Sequence, residues 1–133
     1  MKFLLDTDTV SQIARGRHPG VEQRAGQHAT TDLAVSVITV GELQYGFALS
    51  GTASRLRSRT QALLDGMTCL RVDSAVAAEY GNLRAHLHKI GQSIGPNDHW
   101  IAAQALAAGL ILVTGNTRDF QRVPGLKFEN WLR

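Results

Sequence analysis

At 133 residues the chain has the length of one ordinary domain, enough to bury a core without disulfide or metal staples. Apolar residues make up 44% and charged residues 19%, which excludes a disordered chain, and no apolar run is long enough to span a membrane. The lone Cys69 excludes an internal disulfide framework and the apolar stretch ahead of Asp6 is too short for a signal peptide, so a cytoplasmic protein is expected.

Residues 2–5 form an apolar run that ends at Asp6 and predicts a buried strand. Residues 9–15 predict a helix stopped by Gly16, and residues 19–28 a second helix opened by Pro19. Residues 33–38 predict a strand, after which Thr39 opens a helix to residue 49, stopped by Ser50-Gly51. A helix from Ala53 to Leu64 ends before Gly66, and residues 68–72 predict a strand in which Cys69 is a small core residue. Asp73 or Ser74 caps a helix running to Lys89. After the loop 91–95, Pro96-Asn97-Asp98 opens an Ala-rich helix to residue 108, with Trp100, Ile101 and Leu106 as packing residues and Gly109 as its stop. Residues 110–113 predict a strand, Gly115-Asn116-Thr117 a turn or short helix, and residues 127–128 a last short strand. Helices alternate with strands, and the strands 33–38 and 110–113 are apolar nearly throughout. That pattern belongs to a parallel sheet covered on both faces. One domain spanning residues 1–133 is expected.

In such a sheet, ligands bind at the carboxyl ends of strands, where helices begin. Asp6 follows the first strand, Glu42 lies in the first turn of the helix after the second, Asp98 lies in the first turn of the helix entered at Pro96, and Asp119 follows the strand 110–113. Thr114 and Asn116 stand at the same end, and Asp8 adds a carboxylate beside Asp6. Clustered carboxylates raise each other's pKa and call for a cation, and oxygen ligands without Cys or paired His favour Mg²⁺ or Mn²⁺ over zinc. The net charge of +3, with 11 of 14 cations being Arg, suits a basic surface around an acidic pit that meets a polyanion. Each acid also has a purely structural reading. Glu42 is the N3 residue of a Thr39-x-x-Glu42 capping box, Asp6 a cap for the first helix, Asp98 a complement to a helix dipole, and Asp119 a surface acid beside Arg118 and Arg122.

Phe3-Leu4-Leu5-Asp6-Thr7-Asp8 also resembles the nucleophile motif of haloacid-dehalogenase-like phosphatases, in which the first Asp is phosphorylated. That family needs a Lys at the site, and Lys89 closes a helix instead. His86 and His88 point to different helix faces and do not form a chelating pair.

Four stretches in order resemble the PIN-domain ribonucleases, and among them the VapC toxins of VapBC toxin–antitoxin pairs. They are Phe3-Leu4-Leu5-Asp6-Thr7-Asp8, the segment 36–46 around Glu42, Ile94-Gly95-Pro96-Asn97-Asp98, and Leu112-Val113-Thr114-Gly115-Asn116-Thr117-Arg118-Asp119; the tail from Val123 to Trp131 matches as well. The resemblance implies a three-layer α/β/α fold with a mainly parallel sheet. It puts Asp6, Glu42, Asp98 and Asp119 on the family's acidic positions, with Asp6 and Asp98 holding Mg²⁺ or Mn²⁺. Asn116 stands where many relatives carry an acid, Thr114 matches a hydroxyl that holds the acids, and Asp8 replaces the usual Asn. It further implies an endoribonuclease acting on RNA, most plausibly tRNA, with a VapB-like antitoxin as partner. A homodimer, and operator DNA bound only through the antitoxin complex, complete that picture. Arg15, Arg17, Arg55, Arg57 and Arg59 are candidates for contact with the RNA backbone. A PIN scaffold kept only for binding is the remaining alternative.

Overall fold

A computed structural model describes residues 1–51 and 54–132 of the chain. Among the described residues five strands occur: β1 (Phe3–Leu5), β2 (Leu33–Ser36), β3 (Thr68–Leu70), β4 (Ile111–Val113) and β5 (Phe128–Glu129). They form one sheet in the order β3-β2-β1-β4-β5, with every pair parallel. The helices are α1 (Thr7–Arg15), α2 (Pro19–Gly26), α3 (Val37–Ser50), α4 (Ser54–Asp65), α5 (Ser74–Lys89), α6 (Pro96–Ala108) and α7 (Thr117–Phe120). A single 3-10 turn, Thr30–Asp32, leads into β2.

Side chains alternate across a strand, so each strand feeds two cores. Phe3, Leu5, Leu33, Val35 and Val113 pack with Val10 of α1, Val21 of α2, Leu43 of α3 and Leu64 of α4. Leu4, Ala34 and Leu112 pack with Leu83 and Leu87 of α5, Ile101 and Ala105 of α6, and Phe120 of α7. This is the expected three-layer arrangement, and burial on both faces explains why β1 is apolar at every position. The order of strands runs outward from β1 to β3, then restarts with β4 on the other side of β1. The carboxyl ends of β1 and β4 therefore frame the topological switch point, where such sheets open a crevice.

Several local expectations are corrected. The second strand stops at Ser36, whose hydroxyl accepts from the Ile38 N–H and caps α3 three residues earlier than Thr39. Thr39 then sits inside the helix, so the Thr39-x-x-Glu42 capping box does not form. Cys69 is exposed, because β3 is an edge strand rather than a central one. Asp73, not Ser74, caps α5, accepting from the Val76 N–H at 3.0 Å. The expected helix start at Ala53 lies outside the described residues. Ile101 is buried and Trp100 stacks on Tyr80 with ring centroids 3.7 Å apart, as packing residues do.

Beyond β5, Trp131 is fully buried between Phe3, whose ring meets it edge-on at 5.0 Å, and His28, stacked at 5.4 Å. Its indole N–H donates to Glu129, which Arg24 also holds at 3.1 Å. Removing so large a buried ring leaves a cavity beside β1. Trp131→Ala is expected to lower unfolding free energy by about 3–5 kcal/mol, read from urea denaturation.

Candidate active site

Asp6 occupies the turn from β1 into α1. Its extended backbone (φ −78°, ψ 173°) lets its N–H continue the parallel ladder to the Val113 carbonyl at 3.0 Å. Its carboxylate turns back and accepts the Thr9 N–H at 2.9 Å, so Asp6 is the N-cap of α1 and a site acid at once. The Thr114 hydroxyl, fully buried, also donates to Asp6 and accepts the Asn116 N–H at 3.0 Å. Burial nevertheless raises the Asp6 pKa above its ordinary value, with Asp8 adding like-charge repulsion.

Glu42 lies on the second turn of α3, and its Oε1 accepts the Thr7 hydroxyl at 2.7 Å. Thr7 was not singled out from the sequence; its position between two acids in Asp6-Thr7-Asp8 was the available signal. Asp98 sits in the first turn of α6, opened by Pro96, and Asp119 in the first turn of α7. Asn116 links these two: its side-chain amide donates to Asp119 at 3.1 Å and reaches Asp98 at 3.5 Å. The structure thus brings together all four predicted acids with Thr114 and Asn116, and it places the exposed Asp8 at the rim.

The electrostatics confirm that the acids share one field. Asp98 is pushed up from 3.8 to about 6, first by burial and then by the charges of Asp6, Glu42 and Asp119. Among the described residues the acidic ion pairs are Arg24–Glu129 and Arg122–Asp119, the latter at 3.8 Å. Asp6, Glu42 and Asp98 therefore face each other without a basic partner.

Two cavities open beside the acids. One of about 740 Å³ is lined by Thr7, Glu42, Val37, Tyr45 and Asn97. The other, about 380 Å³, runs from Thr7, Asp8 and Glu42 to the apolar side chains Leu43, Phe47 and Leu56, with Arg15 at its edge. Neither is lined by a Lys, and Lys89 lies in the last turn of α5, so the arrangement lacks the lysine a phosphatase of the haloacid-dehalogenase type needs.

The PIN domain family matches residues 3–126. The chain belongs to the PIN-domain family, and within it to the VapC ribonucleases. It is 40% identical to the ribonuclease VapC2 of Haemophilus influenzae over 132 residues, 99% of both chains. It is 33% identical to the tRNA(fMet)-specific endonuclease VapC of Salmonella typhimurium over 131 residues, 98% of both chains. The crystal structure of DNA-bound VapBC from Salmonella typhimurium superimposes with a TM-score of 0.91 at 32% identity, covering 98% of each chain. A five-stranded parallel sheet with acids at the switch point is thus the PIN arrangement in this VapC-family chain.

Raised carboxyl pKa values bear on stability with a definite sign. Asp6 and Asp98 hold protons in the folded state at pH values where the unfolded chain, with pKa near 4, has lost them. In metal-free protein the stabilisation from these two protonated groups is therefore expected to be full below about pH 4 and to be lost as pH rises through about 6. Asp98→Asn removes one interacting charge. In EDTA it should melt at a higher temperature than wild type at pH 8, and the gap should close at pH 4; thermal melts at both pH values read this directly.

Proposed function

We propose that the acid cluster is a divalent-cation-dependent endoribonuclease site and that the protein is the toxin of a type II toxin–antitoxin pair. The observation that carries this is the convergence of Asp6, Glu42, Asp98 and Asp119 at one strand edge, with Asp98 driven up to about 6 by burial first and then by the charges of the other three. Repulsion without a basic partner is the state of a site whose missing charge comes from a ligand. The donors fit Mg²⁺ or Mn²⁺, being all oxygen. Among the described residues no three His, Cys, Asp or Glu side chains already form a ligating group.

In this reading Asp6 and Asp98 would hold the ion, and Glu42 and Asp119 would complete the acidic surroundings. Such an ion supplies Lewis acidity, neutralising phosphate charge and making water a better nucleophile at neutral pH. Thr114 and the α1 N-terminus fix the Asp6 carboxylate, so it need not reorganise during the reaction. Asn116 sets the separation of Asp98 and Asp119, and Thr7 orients Glu42. Attack by water leaves a 5′-phosphate and a 3′-hydroxyl, and the ribose 2′-OH takes no part. A tRNA substrate is supported by the relative named for tRNA(fMet). A cytoplasmic setting follows from that substrate. Among the candidate phosphate contacts, Arg15 stands at the rim of the cavity beside Asp8, Arg57 lies over the Phe47 ring, and Arg59 packs against Gly16. Arg17 and Arg55 are exposed in the same region of chain.

The apolar cavity ending at Asp8 and Glu42 suits the tail of a VapB-like antitoxin that covers the acids and places an Arg among them. Operator DNA is bound through that complex, as the DNA-bound VapBC relative supports. The exposed stripe Val37, Tyr45 and Leu49 along α3 is the surface we assign to a homodimer.

Purified protein with Mg²⁺ or Mn²⁺ should cut tRNA, and EDTA should stop it; Asp6→Ala and Asp98→Ala should abolish cutting. Normal cutting by either variant would remove the proposed ligands. Glu42→Gln keeps an acceptor for Thr7 and removes one repelling charge, so its melting temperature should equal or exceed that of wild type while its activity drops about 10–100-fold. Unchanged activity would return Glu42 to a structural role.

A further inference from the structure

Gly115 lies between Thr114 and Asn116 in the turn that leaves β4 for α7. Its backbone is outside the left-handed region, so its conformation would accept a side chain. Space is what forbids one. A Cβ at this position would stand 2.8 Å from the δ1 methyl of Leu132, well inside van der Waals contact, and 3.8 Å from Oδ2 of Asp8. Leu132 therefore sits against the backbone of the turn, at the rim where Asp8 joins the acids.

Leu132 is itself pinned. The residue before it, Trp131, is fully buried between Phe3 and His28. The Leu132 N–H donates to Asn130 Oδ1 at 2.9 Å, and its side chain packs on the cluster that holds Phe3, Leu5, Val113 and Trp131. The Thr114 N–H continues the ladder between β4 and β5, donating to the Glu129 carbonyl at 2.9 Å. Beyond that rung the Asn116 N–H turns back to the Thr114 hydroxyl at 3.0 Å. Where the ladder ends, the Leu132 contact takes over.

The turn acts on the acids from both its ends. Thr114 donates to Asp6, while the Asn116 amide donates to Asp119 and reaches Asp98. A shift of the peptides between Thr114 and Asn116 moves both supports together. We propose that Leu132 is a positioning residue for the acid site: its methyl, seated on Gly115, fixes the Thr114–Asn116 turn and through it the carboxylates of Asp6, Asp98 and Asp119. The inference rests on reading those acids as a cation site. Such supports matter because a hard cation binds poorly to carboxylates held at the wrong spacing.

The test is calorimetric titration of the intact protein with Mn²⁺, beside kcat and KM on RNA, for wild type, Gly115→Ala, Leu132→Ala, Leu132→Met and the double variant Gly115→Ala/Leu132→Ala. Gly115→Ala drives a Cβ into the Leu132 methyl and should weaken Mn²⁺ binding and kcat about tenfold each, with KM for RNA unchanged. Leu132→Ala should weaken both by a similar factor, whereas Leu132→Met, which keeps a methyl within reach, should stay close to wild type. The double variant removes the clash, so Gly115→Ala should cost nothing beyond Leu132→Ala. In EDTA, both single Ala variants should shift the Thr9 and Asn116 amide signals, whose acceptors are the Asp6 and Thr114 side chains. A Leu132 that served the core alone would lower the melting temperature and leave Mn²⁺ affinity and kcat at wild-type values. That result overturns the proposal, as does a Gly115→Ala protein that binds Mn²⁺ normally or a double variant whose losses add. Should Leu132→Ala fail to fold, Gly115→Ala and Leu132→Met decide alone. The expected Mn²⁺ pattern in a protein that cuts no RNA supports the positioning role and counts against the ribonuclease reading; RNA cutting that no variant alters counts against the positioning role. A wild type that binds no Mn²⁺ overturns both.

Discussion

The junction of β1 with β4 is the constraint on which the site depends. Leu4 pairs with Leu112 and Leu5 with Val113, and the ladder continues through the Asp6 N–H to the Val113 carbonyl. The Thr9 hydroxyl reaches the same carbonyl at 3.2 Å, tying the first turn of α1 to the end of β4. This pairing brings Asp6 beside Thr114, the residue that follows Val113, although more than a hundred positions separate them in the chain. Once β1 and β4 are in register, Asn116 and Asp119 follow Thr114 into place. Without that register the first and last acids have no reason to meet.

Arg122 faces Asp119, but among the described residues Asp6, Glu42 and Asp98 are met by dipoles rather than by cations. Asp6 is held by a backbone N–H and a hydroxyl, which lower its pKa but do not cancel the effect of burial. Asp98 takes the residue of the repulsion, and Asn116 offers it only a long amide contact. A fold optimised for stability alone would place a Lys or Arg here. Keeping the acids unneutralised leaves room for a cation and, in the inhibited state, for a basic group from a partner.

The first turn of α6 faces two ways. Pro96 sets the helix start, Asp98 contributes to the acids, and His99 fastens the turn back to Gly95 while lining a neighbouring cavity. Asp98 and His99 are therefore held by one rigid element, and their spacing is set by helical geometry rather than by a loop.

Much was legible in the chain itself. Apolar runs ending in acids marked β1, and apolar runs bounded by Gly and Pro marked β2, β4 and α6, because a doubly covered parallel strand must be apolar at nearly every position. Asp6, Glu42, Asp98 and Asp119 could be named because strand-to-helix turns are where such sheets open. The failures share one cause, which is that burial and partner choice are properties of the packed sheet. Ser36 is both the last residue of β2 and the cap of α3, so the capping box at Thr39 had no place to form. Cys69 reads as core, yet the sheet order leaves β3 at an edge. Thr7 reads as a spacer until α1 packs against α3 and brings its hydroxyl to Glu42. His99 looks like an ordinary helical residue until α5, α6 and the loop between them enclose it. The sequence by itself determined the elements and the identity of the acids, because periodicity, caps and carboxylate chemistry are local. Only the tertiary structure decided which groups support those acids, because that depends on strand order and on contacts between residues far apart in the chain.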